Sequence, residues 1–184
     1  MKNVVPIKAT SFTAKKPVER IHTKITFQRE RLIEMCTEMG TLMKLHDAEI
    51  WPNRKWGTKV KFNLGKYLII EQQNQLAVLT ARTGAGTLIG YCLEHCAIDD
   101  HYGMPASVNC GFFLRKEYRV GKSLSLRKHP AYRFLAERER MLDACKAQRR
   151  RIGVKVWLDF GPILKHFGYD PDMTQYQKIA EFED

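Results

Sequence analysis

The stretch Phe112–Ser123, FFLRKEYRVGKS, joins the end of an apolar strand to a short basic turn that holds one glycine. A strand that leads through such a turn onto a helix forms an anion cradle, because free backbone N–H groups and the helix dipole both attract negative charge. The same composition is typical of an ordinary surface turn, and only the position between strand and helix favours phosphate binding. The residues of the turn are Arg119, Val120, Gly121, Lys122 and Ser123.

Three consecutive β-strands are predicted directly before this turn. Alternating or β-prone apolar residues fill Gln75–Arg82, Thr87–Ile98 and Ala106–Arg115. The first pair is joined by TGAG, a good hairpin turn, and the second pair by a polar loop. The pattern predicts an antiparallel meander that delivers the chain to the basic turn.

Helices and further strands are predicted on both sides of the meander, within one domain over residues 21–184 and a basic arm or first strand over residues 1–20. Helical spacing of apolar residues predicts a long helix before the meander and another after the turn. The expected elements are a strand at Ile21–Thr26, helices at Gln28–His46, Lys59–Gly65 and Pro130–Gln148, a strand at Ile152–Phe160, a short helix at Pro162–Phe167 ended by Gly168, and a strand at Met173–Phe182.

The charge is the feature of the composition that restricts function most. The 184 residues carry 31 Lys and Arg against 20 Asp and Glu, a formal net charge of +11. Such an excess favours a polyanionic partner: nucleic acid, an acidic protein, a membrane surface or a phosphorylated small molecule. No apolar run is long enough to cross a membrane and no signal peptide is indicated, so we expect a cytoplasmic protein.

The cysteines predict neither a disulfide framework nor a metal site. Their number is five, an odd count, and a chain of this length builds a core without covalent links. Cys92, His95 and Cys96 lie close together, but a structural zinc site needs four ligands in paired clusters and no second pair is present.

In two stretches, Phe112–Ser123 and Gly161–Ile179, the sequence resembles the GNAT superfamily of N-acetyltransferases. FFLRKEYRVGKS looks like the family's cofactor strand and pyrophosphate loop, and GPILKHFGYDPDMTQYQKI, from Gly161 to Ile179, is similar to its closing helix, Gly–aromatic pair and strand. Within the superfamily, the stretch from Thr87 to Arg119 is most similar to compact acetyltransferases encoded by phages, which implies the host cytoplasm or association with a virion.

The resemblance implies an α/β fold with a mixed, mostly antiparallel sheet flanked by helices, and direct transfer of an acetyl group from acetyl-CoA to an amine. It implies that the loop residues Arg119 to Ser123 bind the pyrophosphate of the cofactor. It also implies that the strand carrying Phe113, Leu114 and Arg115 pairs with the pantetheine amides through its backbone.

The catalytic groups of the family are harder to match. Its tyrosine acid falls at Leu164, which cannot donate a proton, and the strand Ala106–Arg115 holds no acidic residue. Glu94 and His95 on the neighbouring strand are candidate catalytic residues, although adjacent strand residues point to opposite faces. The loop residues Asp99 and His101 are further candidates, and each of the four fits an ordinary polar role equally well.

These departures leave a second function open: a non-catalytic phage or virion-associated protein of the same fold that binds nucleic acid or a host protein. Cations are interleaved with aromatic residues around Trp51 and Trp56, a mixture that suits base stacking and phosphate contact. A basic DNA-binding domain without a cofactor is a third hypothesis. The amine acceptor is a macromolecule or a small molecule, and the sequence predicts no oligomeric state.

Overall fold

The computed structural model describes residues 24–50, 63–119, 126–153 and 161–171. The strands are β1 (Ile25–Arg29), β2 (Leu76–Thr83), β3 (Leu88–Ile98), β4 (Pro105–Leu114) and β5 (Arg149–Arg151). The helices are α1 (Leu32–Ile50), α2 (Leu64–Gln72), α3 (Lys116–Arg119), α4 (Pro130–Ala144) and α5 (Gly161–His166), with a 3-10 turn at Leu126–Lys128.

The five strands form one sheet in the order β1-β2-β3-β4-β5. The first four are antiparallel neighbours, and β4 and β5 are parallel. A parallel pair needs a crossover connection, which α4 supplies between β4 and β5. The predicted meander and the predicted mixed, mostly antiparallel sheet with flanking helices are both confirmed.

Helices cover both faces of the sheet because the inner strands are apolar on both sides. On β3, Tyr91 and Leu93 pack with α1, whereas Ile89 and Cys92 pack with α4. The α1 core contains the methionines at helical spacing, Met35 and Met39, both essentially fully buried. These two methionines therefore serve as core packing.

Several boundaries differ from the sequence prediction. Gln28 lies in β1 opposite Thr80, so α1 begins only at Leu32. The first turn of α1 is closed by Glu71 of α2, whose carboxylate accepts from the backbone N–H of Leu32 and of Ile33. A cap supplied from 38 residues away along the chain leaves no local pattern at the start of a helix.

The second helix and the fifth strand are also displaced from their expected positions. The helix α2 starts after Asn63, whose side chain accepts from the Lys66 N–H at 3.0 Å. The strand β5 begins at Arg149, where a helix end was expected, because the chain turns at Lys146 with a positive φ of 56°. Gly168 has a φ of +80°, which confirms it as the residue that ends α5.

Other expectations lie outside the described residues. These are the basic arm over residues 1–20, the tryptophan-bearing segment around Trp51 and Trp56, most of the predicted strand Ile152–Phe160, and the predicted strand Met173–Phe182. Among the described helices, none is long and apolar enough to cross a membrane.

Gly90, near the start of β3, is required for the close approach of its neighbours. A Cβ atom there would lie 2.8 Å from both the Phe113 carbonyl oxygen and Leu114 Cδ1. We expect Gly90→Ala to lower the free energy of unfolding by about 1–3 kcal/mol, since backbone atoms cannot move aside without breaking the β3–β4 ladder. Urea denaturation measures the change.

The matched control is Gly40→Ala in α1, where an added Cβ meets nothing within 4 Å. Alanine is the better helix former, so this variant should gain about 0.5–1 kcal/mol. Equal effects of the two substitutions would contradict the steric explanation for Gly90.

Candidate cofactor site

Within the described residues, β4 and β5 pair in parallel over three residues. Ala106, Ser107 and Val108 pair with Arg149, Arg150 and Arg151. Over the part of the chain that the structure describes, no strand pairs with the outer edge of β4 beyond Val108. Backbone N–H and C=O groups along the edge of a strand are groups to which an extended ligand with amide groups can bond.

A β-bulge lies in β4 directly after the last residue paired with β5. Leu93 is opposite Gly111 and Glu94 is opposite Asn109, so Cys110 is an extra residue with no partner on β3. The bulge is held by Asn109, whose side-chain Nδ2 lies 2.7 Å from Glu94 Oε1 and 3.3 Å from the Gly111 carbonyl oxygen. Bulges bend a strand and increase its twist, so we expect β4 to change direction just after its last described pair with β5.

The predicted cofactor residues Phe113 and Leu114 end this strand with their side chains buried on opposite faces. Phe113 is 3% exposed in the α1 core and Leu114 is 1% exposed in the α4 core. Only their backbone groups lie at the edge of β4. Arg115 follows, with its backbone N–H bonded to Ile89 O and its guanidinium 3.6 Å from Glu117.

Arg119 is partly buried, with 18% of its side chain exposed. Its guanidinium forms an ion pair with Glu49 of α1 and lies over the ring of Phe113, 5.4 Å from its centroid. Its Nε is buried and has no hydrogen-bond partner among the described residues. The other predicted loop residues, Val120, Gly121, Lys122 and Ser123, lie outside the described residues.

Glu94 lies under α4, where its side chain is fully buried. Its Oε1 is 2.6 Å from Nε of Arg138, which is also fully buried. Burial lowers the pKa of Arg138, but the Glu94 carboxylate raises it by more, so the guanidinium stays charged. Because Glu94 has no exposed surface, its carboxylate cannot contact an amine substrate from this position.

The ion pair continues into a network through Arg138 Nη1. This atom lies 2.7 Å from Glu139 Oε1 and 2.6 Å from the Tyr169 hydroxyl. Glu139 in turn accepts from Arg150 of β5 at 2.8 Å. Glu94, Asn109, Arg138, Glu139, Arg150 and Tyr169 are called the Arg138 network below.

The other candidate catalytic residues lie apart from this network. His95 is half-buried, and its Nε2 lies 3.4 Å from Gln75 Oε1. Asp99 pairs with Arg149 at 3.4 Å and with Arg151. Burial opposes ionisation of Asp99, but the His101 N–H and Arg151 outweigh it, so the pKa of Asp99 is below its usual value. His101 is exposed in the loop after Asp99.

Leu164, where the family carries a tyrosine, is 8% exposed on α5. Its neighbour His166 contacts Tyr132 of α4, with the ring centroids 5.4 Å apart. The nearest tyrosine along the chain, Tyr169, donates to Glu139 at 2.9 Å, and burial raises the pKa of Tyr169 to about 12. A phenol that is already engaged in this way serves as a structural group.

Arg138 and Asn109 are the two residues of the site that sequence reasoning missed. Arg138 stands on the apolar face of α4, one turn from Phe134, Leu135 and Leu142, all of them buried. A lone cation within an apolar helical stripe, and a lone glutamate within the apolar strand β3, are together the signal that could have paired them.

The cysteines are free thiols at all five positions. Burial raises the pKa of the Cys92 thiol well above its usual value, and the Glu94 carboxylate raises it further. Among the described residues, no group of three or more His, Cys, Asp or Glu side chains could hold a metal ion.

Removing one member of the Glu94–Arg138 pair should cost more than removing both. Arg138→Met leaves Glu94 buried and uncompensated, which we expect to cost about 3–5 kcal/mol of unfolding free energy. The double variant with Glu94→Met as well should be much less destabilised, because two apolar side chains replace two buried charges. Chemical denaturation of the single and double variants gives the coupling energy.

Additive effects in that cycle would mean that the two charges do not interact across the core. The control is Glu30→Gln, which breaks a second Arg–Glu contact of 2.7 Å, to Arg82, at the opposite edge of the sheet. The loss of unfolding free energy caused by Glu30→Gln should add to the loss caused by Arg138→Met.

No protein-family model and no curated protein sequence matches the chain. Its fold, in contrast, is similar to solved acetyltransferase structures. The ribosomal-protein-alanine N-acetyltransferase of Brucella melitensis biovar Abortus 2308 aligns with a TM-score of 0.58 at 12% identity, covering 88% of this chain and 99% of that one. A GNAT family acetyltransferase of Staphylococcus aureus aligns with a TM-score of 0.56 at 16% identity, covering 85% and 98%.

A third structure, AAC(6')-Iy in complex with the bisubstrate analogue CoA-S-monomethyl-acetylneamine, aligns with a TM-score of 0.54 at 15% identity, covering 86% of this chain and all of that one. At identities this low, the structural similarity establishes the fold and does not establish the activity. The chain has the fold of the GNAT acetyltransferases.

Proposed function

We propose that this protein is an acetyl-CoA-dependent N-acetyltransferase that moves an acetyl group directly to an amine. The observation that carries the proposal is the bulge at Cys110 in β4, directly after the last described pair with β5 and before the basic glycine stretch that leads to α4. A strand edge can bond the amides of a pantetheine arm, and a glycine turn before a helix can bind the phosphates of the cofactor. The AAC(6')-Iy complex with a CoA analogue supports the same cofactor in this fold.

The residues that would hold acetyl-CoA fall into two groups. The backbone of Phe113, Leu114 and Arg115 would bond the pantetheine amides, which agrees with their buried or internally engaged side chains. The loop Val120–Ser123 would bind the pyrophosphate through its N–H groups, with Lys122 adding charge. Arg119 would contact the pyrophosphate only if its guanidinium contacted the phosphate and Glu49 at the same time.

In the reaction, the nitrogen of a neutral amine forms a bond to the carbonyl carbon of the thioester, and the carbon–sulfur bond breaks. The amine loses a proton, and the CoA thiolate leaves and gains one. His95 remains a candidate base on the β3 strand. Glu94 is sealed from solvent and would influence the reaction only through its neighbours. Leu164 excludes a tyrosine acid at its position.

The acceptor in this proposal is an amine of a macromolecule or of a small molecule. The net charge of +11 favours an acceptor or partner that is acidic, including nucleic acid or an acidic protein. A phage origin, with function in the host cytoplasm or in a virion, stays a prediction from the sequence.

A second function is supported by the sealed Glu94 carboxylate and the apolar Leu164. It is a non-catalytic binder of the same fold, phage or virion-associated, that recognises nucleic acid or a host protein. Cofactor binding separates the two proposals, because a binder with a vestigial site has no use for acetyl-CoA.

Isothermal titration calorimetry with acetyl-CoA tests the enzyme. We expect saturable binding to the folded protein, and an affinity at least about tenfold weaker for Gly121→Glu, because the new carboxylate repels the pyrophosphate. The matched control is Gly84→Glu in the β2–β3 turn, where an added Cβ atom lies at an ordinary contact distance, 3.5 Å from Lys24 O.

Absence of heat and of thermal stabilisation at millimolar acetyl-CoA, in a folded sample, would rule the enzyme out. A steep loss of nucleic-acid affinity with rising salt in the same sample would then favour the binder, since phosphate contacts release counterions.

A further inference from the structure

The loop between β3 and β4 meets the short strand β5 at one end of the sheet. Asp99, the first residue of the loop, pairs with Arg149 at 3.4 Å and with Arg151. The turn before β5 closes the same corner, because the Gln148 N–H donates to the Pro105 carbonyl oxygen at 2.8 Å. The loop and the strand are therefore joined by both charged and backbone contacts.

Asp99 uses both of its carboxylate oxygens in this corner. Its Oδ1 accepts from the backbone N–H groups of His101 and Tyr102, at 3.0 and 3.3 Å. Its Oδ2 accepts from the guanidinium groups of Arg149 and Arg151. Because the Asp99 side chain is only 9% exposed, these contacts are sheltered from solvent. One carboxylate thus holds the loop and two cations in a single arrangement.

Tyr102 is the aromatic residue that this arrangement presents to solvent. It is 57% exposed, and the Arg149 guanidinium lies over its ring, 4.2 Å from the centroid. The His101 ring meets the Tyr102 ring edge-on, with the centroids 5.6 Å apart. These contacts orient the ring in the free protein, which lowers the entropic cost of binding a ligand there. More than half of the residue stays open to a second planar group.

The surface keeps a positive charge after its ion pairs are counted. Asp99 carries one negative charge against the two guanidinium groups that it contacts. The neighbouring loop residues Asp100 and Lys146 are both exposed and carry opposite charges. Arg150 is engaged by the Arg138 network and adds nothing to the excess. The Arg151 side chain is 43% exposed, so its guanidinium is open to a further anion.

We propose that Tyr102, Arg149 and Arg151, called the Tyr102 surface below, bind single-stranded nucleic acid. A base stacks on the Tyr102 ring, and Arg151 contacts a phosphate of the same strand. Stacking on aromatic rings combined with phosphate contact is how proteins bind single strands without reading their sequence. The net charge of +11 attracts such a polyanion over a longer range.

A single strand is the partner that uses both features of the Tyr102 surface. An acidic peptide would satisfy the cations but offers no base for the exposed ring. Unpaired bases, in contrast, are free to stack on aromatic side chains. The proposal concerns a surface outside the candidate cofactor residues, and it holds whether or not the protein binds acetyl-CoA.

Fluorescence anisotropy with a labelled oligothymidylate tests the stacking. Tyr102→Ala should weaken binding by about tenfold, because a base loses its stacking partner. Tyr102→Phe keeps the ring and should bind as the wild type does. An abasic strand of the same length keeps the phosphates and lacks the bases. The wild type should bind that strand more weakly than oligothymidylate, and Tyr102→Ala should not weaken its binding further.

The salt dependence of the same binding tests the phosphate contact. Arg151→Ala should weaken the binding of both strands and lower the slope of log affinity against log salt by about 0.7, as expected for one contact to a single strand. The matched control is Arg140→Ala, which removes an ion-paired cation from α4, where its side chain is 71% exposed. This control should change the affinity much less, because exposed charges away from the contact are screened.

Three results in folded samples would overturn the proposal. The first is an unchanged affinity of Tyr102→Ala for oligothymidylate, and the second is an equal loss in Arg151→Ala and Arg140→Ala. The third is equal affinity of the wild type for the two strands, since the surface would then attract any polyanion, an acidic protein included. Titration with acetyl-CoA keeps the proposed function separate: Tyr102→Ala should bind the cofactor as the wild type does, and a wild type that binds none refutes the enzyme without affecting the strand measurements.

Discussion

The contact between Glu94 and Arg138 is the constraint on which the rest of this structure depends. Two charges that are 0% exposed must stay paired, because either one alone would be uncompensated in the core. The pairing fixes the middle of α4 against β3, and α4 is the connection that brings β5 alongside β4. The crossover helix therefore packs on β3 through this ion pair as well as through its apolar face, on which Phe134 and Leu142 are buried.

The two cores, one on each face of the sheet, differ in the kind of contact that they contain. On the α1 side, Met35, Met39 and Phe113 form an apolar layer that also holds His46, stacked on Phe113 at 4.8 Å. On the α4 side, the apolar cluster surrounds the charged pair. The first layer is mostly apolar and contains a neutral contact of 2.7 Å between His46 Nδ1 and the Tyr91 hydroxyl, whereas the second surrounds two charges.

Local patterns predicted most of the fold, and non-local contacts account for what they missed. The alternation in β3 and the turn at Gly86 are short-range signals, so the meander was predictable. The start of α1 depends on Glu71, far along the chain, and its boundary was misplaced for that reason. The site depends even more on such contacts. The spacing of Glu94 and Arg138 along the chain does not indicate that they form an ion pair, and the sequence does not indicate that Arg119 pairs with Glu49.

The extra residue at Cys110 has a consequence for how this sequence can change over time. Gly111 and Asn109 are already opposite the consecutive residues Leu93 and Glu94 of β3, so deletion of Cys110 would close the ladder and leave Phe112, Phe113 and Leu114 with their present partners. Phe113 would stay in the α1 core and Leu114 in the α4 core. Deletion of a paired residue between the bulge and Leu114 would instead exchange the faces of the residues that follow it. The bulge is therefore a point where the length of β4 can change by one residue in evolution without exchanging the two faces of the strand.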